Sequence, residues 1–257
     1  MSKYSLFLIT LLTFFAVACE ESAADIALAT PGQSSSTGTG GSLARFTIKG
    51  DFLYTVDAQN LNVFNISSPD ETIPVATVQA GFGVETIYPL ENFLYLGTQN
   101  GMLIFQVGAD GIPALIGNYN HITSCDPVVS DGHFAYVTLR VSECQEAAFG
   151  AANTLDVLDV SDPTQPNLLS SYPMDSPYGL GLDENILFVC EGERGFKVME
   201  VSDPQNIVLL QQITSVNAID VITLDGLLLV IGPDAVVEYD YSDIHNIQKL
   251  SEIAIGE

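Results

Sequence analysis

Two stretches of this sequence nearly repeat one another. "LDVLDVSDPTQPNLLSSYP" begins at Leu155 and "FKVMEVSDPQNIVLLQQIT" begins at Phe196. Each runs from alternating apolar residues through Val-Ser-Asp-Pro into a second apolar segment, and the Ser-Asp-Pro triplets start at Ser161 and Ser202, 41 residues apart. Alternation of apolar residues is typical of β-strands, while Ser, Asp and Pro favour turns. Each stretch therefore predicts two strands joined by a corner.

The same spacing extends along most of the chain. Short apolar segments centre on Tyr54, Tyr95, Tyr136, Phe188 and Leu229, at steps of 41, 41, 52 and 41 residues, and the long step equals 41 plus an 11-residue insertion. A turn signal such as Asp225-Gly226 precedes each centre, and a second alternating segment follows it. A period of about 40 to 45 residues with four short strands per unit is typical of propeller blades. The sequence predicts an all-β fold in residues 43–257, a five-bladed β-propeller of four-stranded antiparallel blades.

The first unit shows the expected strand order. Strands A to D are predicted at residues 46–49, 52–57, 61–66 and 74–79, with the corner between C and D. Every unit begins at strand A and ends at strand D. We therefore expect no strand from residues 20–42 in the last blade, and a ring that closes by packing alone.

The third and fourth units carry a family resemblance. "YVTLR…NTLDVLDVSDPTQPNLLSSYPM" and "LFVCEGERGFKVMEVSDPQNIVLLQQIT" resemble the LVIVD repeat, named for a Leu-Val-Ile-Val-Asp strand followed by Ser-Asp-Pro. The resemblance extends over residues 43–257 and is weaker in the other units, where Ser68-Pro69 and Asp243-Ile244 depart from the triplet. It implies a propeller on a bacterial or archaeal surface protein, and no common catalytic motif.

The N-terminus predicts export and a lipid anchor. "MSKYSLFLITLLTFFAVAC" has one basic residue, an apolar run and the small residues Ala16-Val17-Ala18 before Cys19. This is the secretory pattern, and its ending resembles a bacterial lipobox with Cys19 as the lipidated residue. An ordinary cleaved signal with an incidental Cys is the alternative. Residues 1–19 are thus predicted to be a lipoprotein signal peptide and residues 20–42, rich in Ser, Gly and Thr, a flexible tether. The expected location is the cell envelope, on the outer membrane, periplasmic or surface-exposed.

The charge of the protein excludes one class of partner. The formal net charge is −25, with seven Lys and Arg against 32 Asp and Glu. Nucleic-acid binding rests on neutralising phosphates with basic groups, so no nucleic-acid partner is expected. We expect a monomer that contacts the membrane through its lipid anchor only.

Irregular segments collect on one side of the predicted ring. The B–C and D–A connections share this side, called the loop face below, whereas the opposite side holds tight turns and Ser-Asp-Pro corners. Binding residues usually lie on such variable loops. The candidate binding residues of the loop face are His121, Asp126, Arg140, Tyr178, Arg194, Asn217 and Asp220. An Arg here can recognise a carboxylate, or it can simply pair with a neighbour such as Glu143 or Glu193.

Three cysteines remain in the body after processing: Cys125, Cys144 and Cys190. An oxidising compartment favours pairing, which leaves one thiol over. Cys125 and Cys144 fall on two connections of the third blade that share the loop face, so we predict that they form a disulfide. Cys190 continues a strand two residues after Phe188, and we predict that it is buried and reduced.

Two functions from different classes are compatible with these features. The preferred one is a non-enzymatic binding or scaffold propeller that presents its loops to an envelope protein or glycan. The alternative is an envelope hydrolase or lyase, with His121 as base and Arg140 or Arg194 holding a small anionic substrate. The sequence contains no Gly-x-Ser-x-Gly, His-Glu-x-x-His or Cys-x-x-Cys motif, and its three scattered His predict neither a metal site nor a cofactor.

Overall fold

The computed structural model describes residues 40–121, 127–141 and 152–255. These residues form five four-stranded antiparallel sheets, and within each sheet the strands lie in chain order. The five sheets are the blades of a β-propeller, which confirms the predicted fold class and number of blades. Each blade contains one repeat unit, and the unit of blade 3 includes the 11-residue insertion.

The strands of the first two blades follow the predicted order closely. Blade 1 contains β1 (Phe46–Lys49), β2 (Phe52–Val56), β3 (Asn60–Ser68) and β4 (Glu71–Gln79), and blade 2 contains β5 (Val84–Leu90), β6 (Phe93–Thr98), β7 (Gly101–Val107) and β8 (Pro113–Asn120).

The remaining three blades repeat this order. Blade 3 contains β9 (Val128–Ser130), β10 (Phe134–Leu139), β11 (Thr154–Asp159) and β12 (Asn167–Pro173). Blade 4 contains β13 (Leu180–Asp183), β14 (Ile186–Cys190), β15 (Phe196–Glu200) and β16 (Val208–Ile213). Blade 5 contains β17 (Asp220–Leu224), β18 (Leu227–Ile231), β19 (Ala235–Asp240) and β20 (Gln248–Ala254).

The Ser-Asp-Pro triplet forms the predicted corner between the third and fourth strands of a blade. Asp162 Oδ1 accepts a hydrogen bond from the Thr164 amide at 3.0 Å, and Asp203 Oδ1 accepts one from the Gln205 amide at 3.1 Å. The side-chain and backbone hydrogen bonds from Thr164 hold the pKa of the Asp162 carboxyl below its usual value. The carboxylate thus fixes the turn, and Pro stops the strand before it.

Buried apolar clusters join consecutive blades. The described residues form four such clusters, at the junctions of blades 1 and 2, 2 and 3, 3 and 4, and 4 and 5. Each contains the aromatic residue at the centre of a second strand: Tyr54, Tyr95, Tyr136 or Phe188, none of them more than 1% exposed. Burying one large apolar side chain contributes about 1.5–3 kcal/mol, so these junctions hold the blades in place.

The junction between blade 5 and blade 1 differs from the other four. Residues 41 positions apart provide the comparison: Phe46 of β1 corresponds to Ile87 of β5, and Phe64 of β3 to Phe105 of β7. Ile87 and Phe105 are 1% and 0% exposed because they pack against blade 1. Phe46 is 61% exposed and Phe64 is only partly buried. The face of blade 1 that points away from blade 2 is therefore incompletely covered.

The matching face of blade 5 carries an acidic residue at its centre. In blades 1 to 4 the residue paired with the central aromatic is Val63, Ile104, Val157 or Val198, all 0% exposed. In blade 5 the central residue is Leu229 and its partner is Glu238, and both are partly exposed. All seven residues of β20 are exposed. In blades 1 to 4 the face that carries the central aromatic packs against the next blade, and the matching face of blade 5 is not packed in this way.

A polar contact joins the two ends of the ring. Ser42 Oγ and the Leu43 amide, in the segment before β1, both donate to the Asp220 carboxylate of β17 at 3.2 Å. The expectation that the ring closes by packing alone is therefore wrong, because apolar clusters form at four junctions of the described chain and hydrogen bonds cross the fifth. Residues 40–42 form no strand, as predicted, and residues 20–39 lie outside the described part. No helix among the described residues is long and apolar enough to cross a bilayer.

Candidate functional site

The loop face brings four of the predicted residues to two adjacent cavities. The axial cavity, of about 150 Å³, lies against the segment before β1. Its lining draws on blades 2 to 5 and the segment before β1, namely Leu43, Glu85, Thr86, Pro127, Arg140, Pro177, Tyr178 and Ile219. The side cavity, of about 320 Å³, lies over blade 4 and is lined by Ser176, Tyr178, Glu191, Gly192, Glu193, Arg194, Asn217 and Ile219.

Tyr178 and Ile219 line both cavities and form the wall between them. The guanidinium carbon of Arg140 lies 4.0 Å from the centre of the Tyr178 ring, a cation–π contact that orients both side chains. A Cβ added to Gly192 would lie 2.8 Å from Tyr178 Cε2, so only glycine lets the blade 4 loop approach the ring this closely. Tyr178 is thus held in one orientation.

The loop between β14 and β15 is rigid for reasons visible in its sequence, Cys190-Glu-Gly-Glu-Arg-Gly195. Gly192 and Gly195 adopt φ values of 61° and 81°, a region that favours glycine. The Glu191 amide donates to the Gly195 carbonyl at 2.7 Å, and Gly192 forms a bridge to Ala218. This turn directs Glu191 inward and leaves Glu193 and Arg194 exposed at the rim.

An ion-pair network lies beneath the rim of the side cavity. The Glu191 carboxylate is buried and accepts hydrogen bonds from Lys197 Nζ at 2.9 Å and from the Ser176 amide at 2.8 Å. Arg194 Nη1 contacts Asp175 Oδ1 at 2.8 Å, and both side chains are largely exposed. The inner pair is structural, because a buried carboxylate needs partners. The outer pair contributes little to stability, so Arg194 can exchange Asp175 for a ligand at low cost.

Arg194 pairs with a different residue from the one considered in the sequence. Glu193 is adjacent in the chain, yet the guanidinium contacts Asp175, which the connection between β12 and β13 brings to the same rim. Glu143, the neighbour considered for Arg140, lies outside the described residues.

Asn217 lies where the side cavity meets blade 5. Its Oδ1 atom is buried and has no hydrogen-bond partner within the described part of the chain. A buried amide oxygen without a donor costs about 1–3 kcal/mol. Asn217 is thus the polar residue of this site whose bonding the described protein leaves incomplete.

Asp220 is buried and faces the N-terminal segment. Its carboxylate binds Ser42 and Leu43 as described above, and Ser42 Oγ also accepts a hydrogen bond from the Leu180 amide at 2.7 Å. Burial raises the pKa of the Asp220 carboxyl to about 6, and hydrogen bonds from Val221, Leu43 and Ser42 only partly oppose this rise. Its role in the structure is to hold the segment before β1.

The other predicted site residues are apart from the cavities or outside the described chain. His121 follows β8, with its ring centre 6.0 Å from that of Tyr119, and it is not among the residues that line either cavity. Asp126, the predicted disulfide partners Cys125 and Cys144, and the predicted lipidation residue Cys19 lie outside the described residues.

The prediction for Cys190 is confirmed. Cys190 is a free thiol with 0% exposure, in the same cluster as Phe188. Burial, with the nearby Asp220 and Glu191 carboxylates, raises the pKa of the Cys190 thiol well above its usual value. The thiol is therefore a core group and a poor nucleophile.

Sequence reasoning missed Glu191, Lys197 and Ser42. Two glycines around Glu191 predict a tight turn, but they do not indicate which carboxylate turns inward. Ser42 meets Asp220 across 178 positions of the chain, a distance at which no local pattern operates. Among the described residues, no group of three His, Cys, Asp or Glu is arranged to hold a metal ion.

A known repeat family matches part of this sequence. The LVIVD repeat matches residues 148–173, which include β11, the Ser-Asp-Pro corner and β12 of blade 3. The chain is thus a five-bladed propeller that contains an LVIVD repeat in its third blade. No protein with a curated description matches the sequence.

Several solved structures share the fold. The designed protein Ika8 is 14% identical, with a TM-score of 0.57 over 81% of this chain and 60% of its own. The periplasmic gluconolactonase PpgL of Pseudomonas aeruginosa is 12% identical, with a TM-score of 0.62 over 80% and 68%. Sqt1 of Chaetomium thermophilum is 14% identical, with a TM-score of 0.55 over 80% and 56%. The chain thus spans less than two thirds of Ika8 and Sqt1, and at these identities the likeness shows the fold alone.

Asp220 should give stability a pH dependence of defined sign. The pKa of its carboxyl is about 6 when folded, against an ordinary value of 3.8. The stability contributed by the protonated form is therefore present below pH 3.8 and lost as the pH rises through 6. Relative to Asp220→Asn, the wild-type free energy of unfolding should fall by about 2–3 kcal/mol between about pH 3.5 and about pH 7. Urea titrations of the wild type and Asp220→Asn across this pH range measure the two free energies of unfolding. A difference between them that does not change with pH would contradict the raised pKa of Asp220.

Proposed function

We propose that this protein is a lipid-anchored protein of the bacterial cell envelope whose propeller binds a protein or glycan through its loop face without catalysing a reaction. The observation that carries this proposal is the arrangement of Arg140, Tyr178, Arg194 and Asn217 around two adjoining cavities on one face. Arg140 comes from blade 3 and Arg194 from blade 4, while Tyr178 and Asn217 come from the connections before and after blade 4, so the propeller assembles the surface from separate parts of the chain.

The chemistry of this surface suits recognition of a polar partner. Arg and Tyr are the residue types that contribute most to binding surfaces, and here the Arg140–Tyr178 contact holds both in place before a ligand arrives. Arg194 is at the rim, and its pairing with Asp175 is exposed. Preorganised side chains lose little entropy on binding. Asn217 adds an amide, and Ser176 and Glu193 add further polar groups to the wall.

The enzymatic alternative lacks support from this geometry. It requires His121, an acid and an arginine around one cavity, and neither cavity has a histidine among its described lining residues. The likeness to a gluconolactonase is at 12% identity and brings no catalytic residue to this chain. Binding without turnover is the function that the described residues favour.

The lipid anchor rests on Cys19 and its preceding small residues. Expressed in a host that processes lipoproteins, the wild-type protein should stay in the membrane fraction after a carbonate wash, because acyl chains on one cysteine hold it there. The Cys19→Ala variant should appear in the soluble fraction. Retention of Cys19→Ala in the washed membranes would contradict the anchor.

Binding by the loop face is tested with the full-length protein. We expect the wild type to capture a protein or glycan from envelope fractions and a glycan array, and Arg194→Ala to lower its affinity about tenfold or more, the effect of losing a charged contact. Lys249→Ala is the matched control, because Lys249 is likewise an exposed cation paired with one carboxylate, Glu252, but lies on β20. Equal binding by wild type, Arg194→Ala and Lys249→Ala would overturn the assignment of this face.

A further inference from the structure

The segment of residues 41–44, called the strap below, contacts three blades besides the one that it precedes. The Ala44 carbonyl accepts a hydrogen bond from the Ile87 amide of blade 2 at 2.9 Å. Ser42 Oγ accepts one from the Leu180 amide of blade 4 at 2.7 Å, and it donates to Asp220 of blade 5. The strap thus lies against blades 2, 4 and 5, and it links both ends of the ring.

The fit of the strap against Asp220 is close on two sides. A Cβ on Gly41 would lie 2.1 Å from Asp220 Oδ2, and a Cβ on Gly179 would lie 2.1 Å from Asp220 Oδ1. Neither glycine has a positive φ, so it is the close approach of the carboxylate, and not the backbone conformation, that a side chain at either position would disturb. The carboxylate is held between two backbones and by hydrogen bonds from Ser42 and Leu43 of the strap.

The junction that the strap crosses is the one without an apolar cluster in the described chain. Phe46, Leu227 and Ile253 at this junction are 61%, 36% and 66% exposed, and Glu238 replaces the apolar residue found in the other blades. An apolar interface holds by area, whereas a few hydrogen bonds of about 1 kcal/mol each can open on their own. The strap is thus the element best placed to control this junction.

We propose that the strap and Asp220 form a clasp that holds the propeller closed between blades 5 and 1, and that the ring opens at this junction alone when the clasp releases. Leu43 of the strap is one wall of the axial cavity, so release also removes that wall. The effect on a ligand rests on the proposed binding function, whereas the opening of the ring does not depend on it.

The protein contains no tryptophan, so one introduced indole reports its own surroundings. Phe64→Trp places the reporter on β3 at the junction of blades 5 and 1, and Phe105→Trp places it 41 residues later at the packed junction of blades 1 and 2. Quenching by acrylamide measures the exposure of each indole in the full-length protein without any ligand. Because Phe64 is outside the strap, fraying of the N-terminal segment alone does not change its exposure.

Gly41→Ala is the variant that releases the clasp, because its Cβ displaces Asp220. Gly40→Ala is its control, because a Cβ there meets only Ala44 Cβ, at 3.3 Å. We expect Gly41→Ala to raise the quenching constant of the indole at position 64 about twofold, and to leave the indole at position 105 unchanged. Gly40→Ala should change neither. An unchanged quenching constant at position 64 would overturn the clasp. Equal rises of the quenching constants at positions 64 and 105 would show that the whole propeller is destabilised, which would also contradict it.

Ser42→Ala is a second variant that should release the clasp, and it keeps the test valid if Gly41→Ala does not fold. It removes the hydroxyl that bonds Asp220 and the Leu180 amide. Its control is Ser130→Ala, another buried serine whose hydroxyl bonds the Phe134 carbonyl within blade 3. The clasp is supported if the quenching constant of the indole at position 64 rises with Ser42→Ala but not with Ser130→Ala. The same change in this quenching constant with both serine variants would refute the clasp.

Discussion

The structure depends on the packing of one sheet face against the next through an aromatic residue at the centre of each second strand. Tyr54, Tyr95, Tyr136 and Phe188 are buried between sheets, and each is surrounded by apolar residues of two consecutive blades. Because a blade cannot bury both faces alone, its stability is shared with its neighbours, as in other repeat proteins. The described connections of the loop face start and end on these packed strands, which fixes their ends in position. A binding surface on this face therefore costs little to organise.

Most of the fold was predictable because its determinants are local and repeated. Alternating apolar residues, the turns before each second strand and the Ser-Asp-Pro corner all act within a few residues, and β1 begins and ends where the sequence places it. The packing of the fifth junction was harder to predict from the sequence, because the burial of a blade face depends on which residues pack against it. One signal was present in "VVEYD" at Val236, where Glu238 stands in place of the apolar residue of the other four blades.

The candidate site was predictable in part. The loop face was correctly identified as the place where irregular segments meet, and Arg140, Tyr178, Arg194 and Asn217 do line cavities there. Their pairings were not predictable, because Arg194 selects Asp175 across the fold and the inward turn of Glu191 depends on the geometry of its loop. Asp220 was predicted as a binding residue, and the structure shows that its carboxylate holds the segment before β1. Side chains that join distant parts of the chain are invisible to local patterns.

Four junctions of the described propeller are apolar and the fifth is not, and the matched phenylalanines Phe105 and Phe64 test this difference most directly. Phe105 is fully buried at the junction of blades 1 and 2, and Phe64 occupies the equivalent position of the first blade, where it is partly exposed. The free energy of unfolding, measured by urea titration of the full-length protein, should fall by about 3–5 kcal/mol for Phe105→Ala, as for other buried phenylalanines. It should fall by less than about half of that for Phe64→Ala. Equal losses for the two variants would show that the fifth junction is packed like the other four, and would contradict the account.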